Sequence, residues 1–122
     1  MTTNLFPDEL TLLHNPRCSK SRAAGALLEK NDIAYRERRY LDEPLSPDEL
    51  HELAQRLGLP AREWVRRAES AYKQAGLDPD SSEAEILAAM AGSPILIERP
   101  ILVTKARAVV GRPPERIFEL VG

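Results

Sequence analysis

Cys18 is the only cysteine in this 122-residue chain, and it stands among Arg17, Ser19, Lys20, Ser21 and Arg22, with His14 four positions upstream. Nearby cations favour thiolate over thiol, and lowering a free cysteine toward neutrality multiplies its ionised fraction by roughly 25-fold. The other common fate of a lone cysteine is burial as an inert hydrophobe. The flank Arg-Cys-Ser-Lys-Ser-Arg is too polar for an ordinary core. Ser21 stands where a Cys-x-x-Cys motif would carry its second thiol, so a mixed disulfide on Cys18 cannot be resolved within the chain. Ala24 occupies the position where a Cys-dependent phosphatase loop needs arginine. One cysteine with His14 and His51 is too small and too poorly spaced a set for zinc, so no metal site is expected. What remains is single-thiolate nucleophilic chemistry with a reductant supplied from outside.

The charge pattern suggests what such a thiolate would meet. Lys and Arg number 17 against 19 Asp and Glu, a net charge of −2, which argues against a generic nucleic-acid binder. The distribution is uneven. His14 to Ala24 holds bases and no acid, Arg99 to Arg112 holds only Arg99, Lys105, Arg107 and Arg112, and Glu69 to Glu85 is acidic apart from Lys73. If the two basic segments meet, they make a cationic site suited to a small anion. The alternative is that each base pairs with a scattered carboxylate.

The elements that must position these groups follow from apolar periodicity. Leu10 to Leu13 reads as a buried strand, ended by Asn15-Pro16. Ala23, Ala24, Leu27 and Leu28 give a helix from Ser19 to Lys30, which places Cys18 beside the unpaired N–H groups and positive dipole of its first turn. Ile33 to Tyr40 is a charged strand expected near a sheet edge. Ser46-Pro47-Asp48-Glu49 starts a helix with a capping box, its stripe is Leu50, Leu53, Ala54 and Leu57, and Gly58 closes it. Short helices are expected over Ala61–Ala68, Ser70–Ala75 and Ser82–Ala91. Strands follow at Ile101–Val103 and Arg107–Val110, joined through a two-residue turn at Lys105-Ala106. Pro113-Pro114 opens a last helix with Ile117, Leu120 and Val121 on one face. Trp64 is expected to pack in the core, His51 to be solvated and Tyr72 to be half-buried.

The length fits one domain over 1–122, and 43% hydrophobic with 30% charged residues is ordinary for a globular protein. The order β-α-β, helices, β-β-α is a mixed α/β pattern. The start MTTNLFPDELTLLHN lacks a basic leader, and no apolar run reaches the ~18 residues of a membrane span, so a cytoplasmic protein with no membrane contact is expected.

Two motifs together resemble a known family. His14-Asn15-Pro16-Arg17-Cys18-Ser19-Lys20-Ser21-Arg22 and Pro94-Ile95-Leu96-Ile97-Glu98-Arg99-Pro100-Ile101-Leu102-Val103 are similar to segments of the glutathione- and glutaredoxin-dependent arsenate reductases. Tyr40-Leu41-Asp42-Glu43-Pro44 and Gly111-Arg112-Pro113 resemble further segments of that family. The resemblance implies a thioredoxin-like fold, a mixed four-stranded sheet with a helical insertion at about 46–91 between strands 2 and 3. It implies that Cys18 is the nucleophile and that Arg66, Arg99 and Arg112 surround the oxyanion. His14 and Ser21 would activate or stabilise the thiol, Arg22 would continue the motif, and Pro100 would be a cis proline facing the site. The implied reaction reduces arsenate to arsenite, and the implied ligand is arsenate or a similar small oxyanion. Glutathione is its co-substrate, glutaredoxin its protein partner, no cofactor is bound, and the expected state is a monomer. Two other functions fit parts of the pattern: a thioredoxin-like regulator that binds RNA polymerase, and a monothiol oxidoreductase acting on glutathionylated substrates. The first commonly carries the Cys-x-x-Cys switch that Ser21 removes here, and the second needs Cys18 but not three arginines.

Overall fold

Alternation along three short strands divides the apolar residues into two layers. The computed structural model describes residues 10–104 and 106–121, so Lys105 of the expected turn and the stretch before Leu10 lie outside the described residues. Four strands, β1 (Thr11–Leu13), β2 (Arg36–Arg38), β3 (Ile101–Val103) and β4 (Ala108–Val110), form one sheet in the order β2-β1-β3-β4. β1 runs parallel to β2 and antiparallel to β3, and β3 pairs antiparallel with β4. Successive side chains of a strand point to opposite faces. Leu12, Leu102 and Val109 accordingly pack with Ala24, Leu28 and Ile117 on one face, and Leu13, Ile101 and Val103 join Tyr40, Leu50, Leu53 and Trp64 on the other.

The first layer is α1 (Ser19–Lys30) with the C-terminal segment, and the second is the expected insertion. That insertion comprises α2 (Pro47–Leu57), α3 (Ser70–Gln74) and α4 (Glu83–Gly92). In α2 the Ser46 hydroxyl accepts from the Glu49 N–H while the Glu49 carboxylate accepts from the Ser46 N–H, and Gly58 ends the helix at φ 66°. Ser82 and Glu85 build the same reciprocal cap on α4.

Three expected elements differ. β2 is shorter than Ile33–Tyr40 because the Ile33 N–H returns to Leu28 O at the end of α1, and Arg39 O accepts from Asp42 and Glu43 in a turn. The expected helix Ala61–Ala68 is only a 3-10 turn at Ala61–Glu63. Trp64 is fully buried and Val65 nearly so, and Val65 bridges Ile97 in extended conformation. Arg66 N–H then donates to Leu96 O at 2.7 Å and Glu98 N–H to Trp64 O at 3.0 Å. Tertiary burial of adjacent bulky residues thus overrides helical spacing and lays Arg66 beside the strand that leads to Arg99. The last helix begins as a 3-10 turn, Pro114–Ile117, and becomes α5 (Phe118–Val121). As expected, Trp64 packs in the core, His51 is exposed and Tyr72 is half-buried.

Candidate functional site

Cys18 is the N-cap of α1, with extended backbone (φ −96°, ψ 122°) and no side chain capping the first turn. Its own N–H donates to Asn15 O at 3.0 Å, and Asn15 Oδ1 accepts from the Arg17 N–H at 3.0 Å, so the turn containing Pro16 is closed twice. Behind it Ser21 is fully buried. Its hydroxyl oxygen accepts from the Asn15 N–H at 3.0 Å and lies 2.7 Å from His14 Nδ1. A hydroxyl oxygen has two acceptor sites, so the direction of the Ser21–His14 bond follows the imidazole tautomer. Nε2 faces Glu37 at 3.8 Å. Burial holds His14 below the ordinary imidazole value, with Arg39 and Arg22 adding to it against Glu37. Arg22 Nη1 donates to Pro16 O at 2.9 Å. His14, Ser21 and Arg22 therefore brace the loop. The Ser21 N–H, rather than its hydroxyl, bears on the sulfur.

The half-buried Cys18 thiol sits below its ordinary pKa. Burial is the largest single influence and acts to raise it. Hydrogen bonds from the Ser21 and Lys20 N–H groups, together with the charge and hydrogen bond of the Arg99 guanidinium, outweigh that and lower it.

Arg99 and Arg112 enter from the far side of the chain. Each precedes a proline through a cis peptide bond, Arg99-Pro100 and Arg112-Pro113. The Gly111 N–H donates to Pro100 O at 2.8 Å, and a Cβ on Gly111 would stand 3.0 Å from Pro100 Cγ and 3.3 Å from Ile117 Cγ2. A side chain there would force Pro100 or Ile117 to give by a few tenths of an ångström, so glycine suits the close approach that brings Arg112 beside Arg99. Glu98 Oε1 is 3.2 Å from Arg99 Nη1 and 3.6 Å from Arg112 Nη1. Arg66 is tied differently, to Glu69 and to Ile95 O at 3.2 Å. Each of the three arginines thus has a carboxylate partner, and Arg99 is the one that acts on the sulfur.

Sequence reasoning missed two members of this cluster. Glu98, adjacent to Arg99, is the shared carboxylate. Tyr40, at the head of its five-residue motif, is 1% exposed, and its hydroxyl feels Arg99, Arg66, Cys18 and Glu98. Neither Tyr40 Oη nor Arg99 Nε, both buried, has a hydrogen-bond partner among the described residues. A buried donor left unpaired costs about 1–3 kcal/mol, so two such donors at one place mark it as more than packing. An aromatic residue closing a charged strand was the available signal.

Beyond Glu98 and Arg112 a groove of about 370 Å³ follows the free edge of β4, with Glu63, Arg107 and Arg116 along its walls. Among the described residues no group of three or more His, Cys, Asp or Glu side chains is arranged to hold a metal, and no helix is long and apolar enough to cross a membrane.

Residues 13–120, from the end of β1 through both arginine motifs, match the sequence profile of the ArsC family. The chain belongs to that family. An arsenate reductase of Neisseria meningitidis serogroup A is 46% identical over 111 residues, which cover 89% of this chain and 95% of that protein. One from Haemophilus influenzae is 40% identical over 112 residues, 90% of this chain and 97% of that protein. Among solved structures, an arsenate reductase from Vibrio cholerae superposes with a TM-score of 0.87 at 44% identity, covering 93% of this chain and 98% of that one. The sheet and its insertion are therefore the thioredoxin-like architecture of ArsC proteins.

Proposed function

We propose that this ArsC-family protein is an arsenate reductase that works through the Cys18 thiolate and uses glutathione and glutaredoxin as external reductants. The observation that carries the reading is the convergence on one sulfur of the α1 N–H groups and the Arg99 guanidinium, with Arg112 coupled to Arg99. Arginine presents a planar fork of donors whose charge is not titrated away, which suits a tetrahedral oxyanion. Arg99 and Arg112, with Arg66 at the margin, offset repulsion between thiolate and arsenate.

The thiolate attacks As(V), an S–As bond forms, and one oxygen leaves as hydroxide, its charge stabilised by the guanidiniums. A glutathione thiolate then attacks Cys18 Sγ. The S–As bond breaks with its electron pair on arsenic, which departs as arsenite in the As(III) state, and a Cys18–glutathione disulfide remains. With no second cysteine, that glutathione is removed by an outside thiol, the role this reading gives to glutaredoxin.

The reaction needs no bound cofactor, and we place it in the cytoplasm with the protein as a monomer. Exchange on glutathionylated substrates would not call for arginines around the thiol, so their position favours the oxyanion. The test is arsenate-dependent oxidation of glutathione in the presence of glutaredoxin. Turnover is expected in wild type and absent in Cys18→Ser; activity retained in Cys18→Ser would overturn the mechanism.

A further inference from the structure

Tyr40 follows β2 with its ring among Leu13, Leu50, Trp64 and Ile97 in the larger core cluster. Its hydroxyl stands near four charged site groups, Arg99, Arg66, Cys18 and Glu98. It is 1% exposed, and no described residue pairs with Oη. Arg99 Nε shares that condition. Packing accounts for the ring but not for the oxygen, since phenylalanine would fill the same space without a buried polar atom.

We propose that the Tyr40 hydroxyl is a catalytic residue that donates a hydrogen bond to an oxygen of the tetrahedral anion held over Cys18, alongside Arg99. The proposal rests on the oxyanion reading of the site and adds a neutral donor to it. Burial, ahead of the opposing pull of Arg99 and Arg66, pushes the phenol up to about 12, so it stays protonated throughout the neutral range. It therefore orients an oxygen and shares the charge that develops as Sγ attacks, while its proton stays in place. A disulfide offers only weak sulfur acceptors. Two waiting donors thus favour the oxygens of an anion at Cys18 over the sulfurs of a disulfide there.

Tyr40→Phe removes the single oxygen. Three readouts apply: thermal unfolding with and without arsenate, protection of Cys18 by arsenate against iodoacetamide, and turnover. Without arsenate the variant is expected to unfold at the same temperature as wild type or higher, because no internal hydrogen bond is lost. Arsenate should protect it about tenfold less well, and kcat/KM should fall by roughly 100- to 1,000-fold, the scale of one lost oxyanion donor. Tyr35→Phe, whose hydroxyl pairs with Glu29 at 3.0 Å, should retain full activity. Equal protection and equal turnover in wild type and Tyr40→Phe would overturn the proposal. So would a lower unfolding temperature without arsenate combined with unchanged kcat/KM, which marks a structural role. If arsenate gives wild-type Cys18 no protection at all, the oxyanion reading itself fails and the proposal with it.

Discussion

Arg112 Nη1 donates to the carbonyl oxygen of Arg99 at 3.2 Å, across 13 residues of chain that include the β3–β4 hairpin. This bond ties the Arg112 guanidinium to the Arg99 backbone, while Glu98 Oε1 lies against both guanidiniums. Whatever fixes the end of β4 also fixes the residue that acts on Cys18. Gly111, pressed against Pro100, is the hinge of that arrangement.

The arginines should therefore not be equivalent. Arg99→Ala is expected to lower kcat/KM by about 100- to 1,000-fold and Arg112→Ala by somewhat less. Arg66→Ala, whose side chain is held by Glu69 and Ile95 O, should cost about tenfold. Steady-state kinetics on arsenate check the order. Three equal losses would mean that diffuse positive charge, rather than a built site, supports the reaction.

Ser21→Ala should damage the site through the fold. It deprives the Asn15 N–H and His14 Nδ1 of their shared partner behind the thiol loop. A loss of about 1–3 kcal/mol in urea unfolding is expected, together with slower turnover. A stability within error of wild type would show that the loop does not depend on this hydroxyl.

The parts of this protein that obey local rules were readable in advance. The cap at Ser46 and Glu49, the glycine stop at Gly58 and the helix opening after Cys18 each rest on a few neighbouring residues. The run from Ala61 to Ala68 was misread because its conformation is set by Trp64 and Val65 meeting the Ile97 segment some thirty positions away. The same non-local packing hides Tyr40. An aromatic residue after a charged strand hints at burial, but nothing local shows that the insertion will cover the ring and leave the hydroxyl among the arginines. Glu98 was passed over for a simpler reason, its neighbour being the more conspicuous charge.

Acid stability should depend on Glu49, whose carboxylate takes bonds of 2.6 and 3.1 Å from Arg38 and also caps α2. Burial acts to raise its pKa, but the Arg38 and Ser46 contacts outweigh it, so the folded value is lowered. Its contribution is accordingly complete above the unfolded carboxylate value and is lost as pH falls through the folded one. Glu49→Gln should cost roughly 2 kcal/mol at neutral pH and flatten the fall in stability on acidification. Urea midpoints measured from pH 7 down to 3 check this; parallel curves for the two proteins would refute it.

The most direct test of the whole account is the pH dependence of Cys18 alkylation by iodoacetamide, in wild type and in Arg99→Ala. Wild type should titrate below a free cysteine and Arg99→Ala should move upward toward it, since the guanidinium is one of the groups that holds the thiolate. A wild-type thiol that titrates like free cysteine, or a profile that ignores the loss of Arg99, would contradict the account.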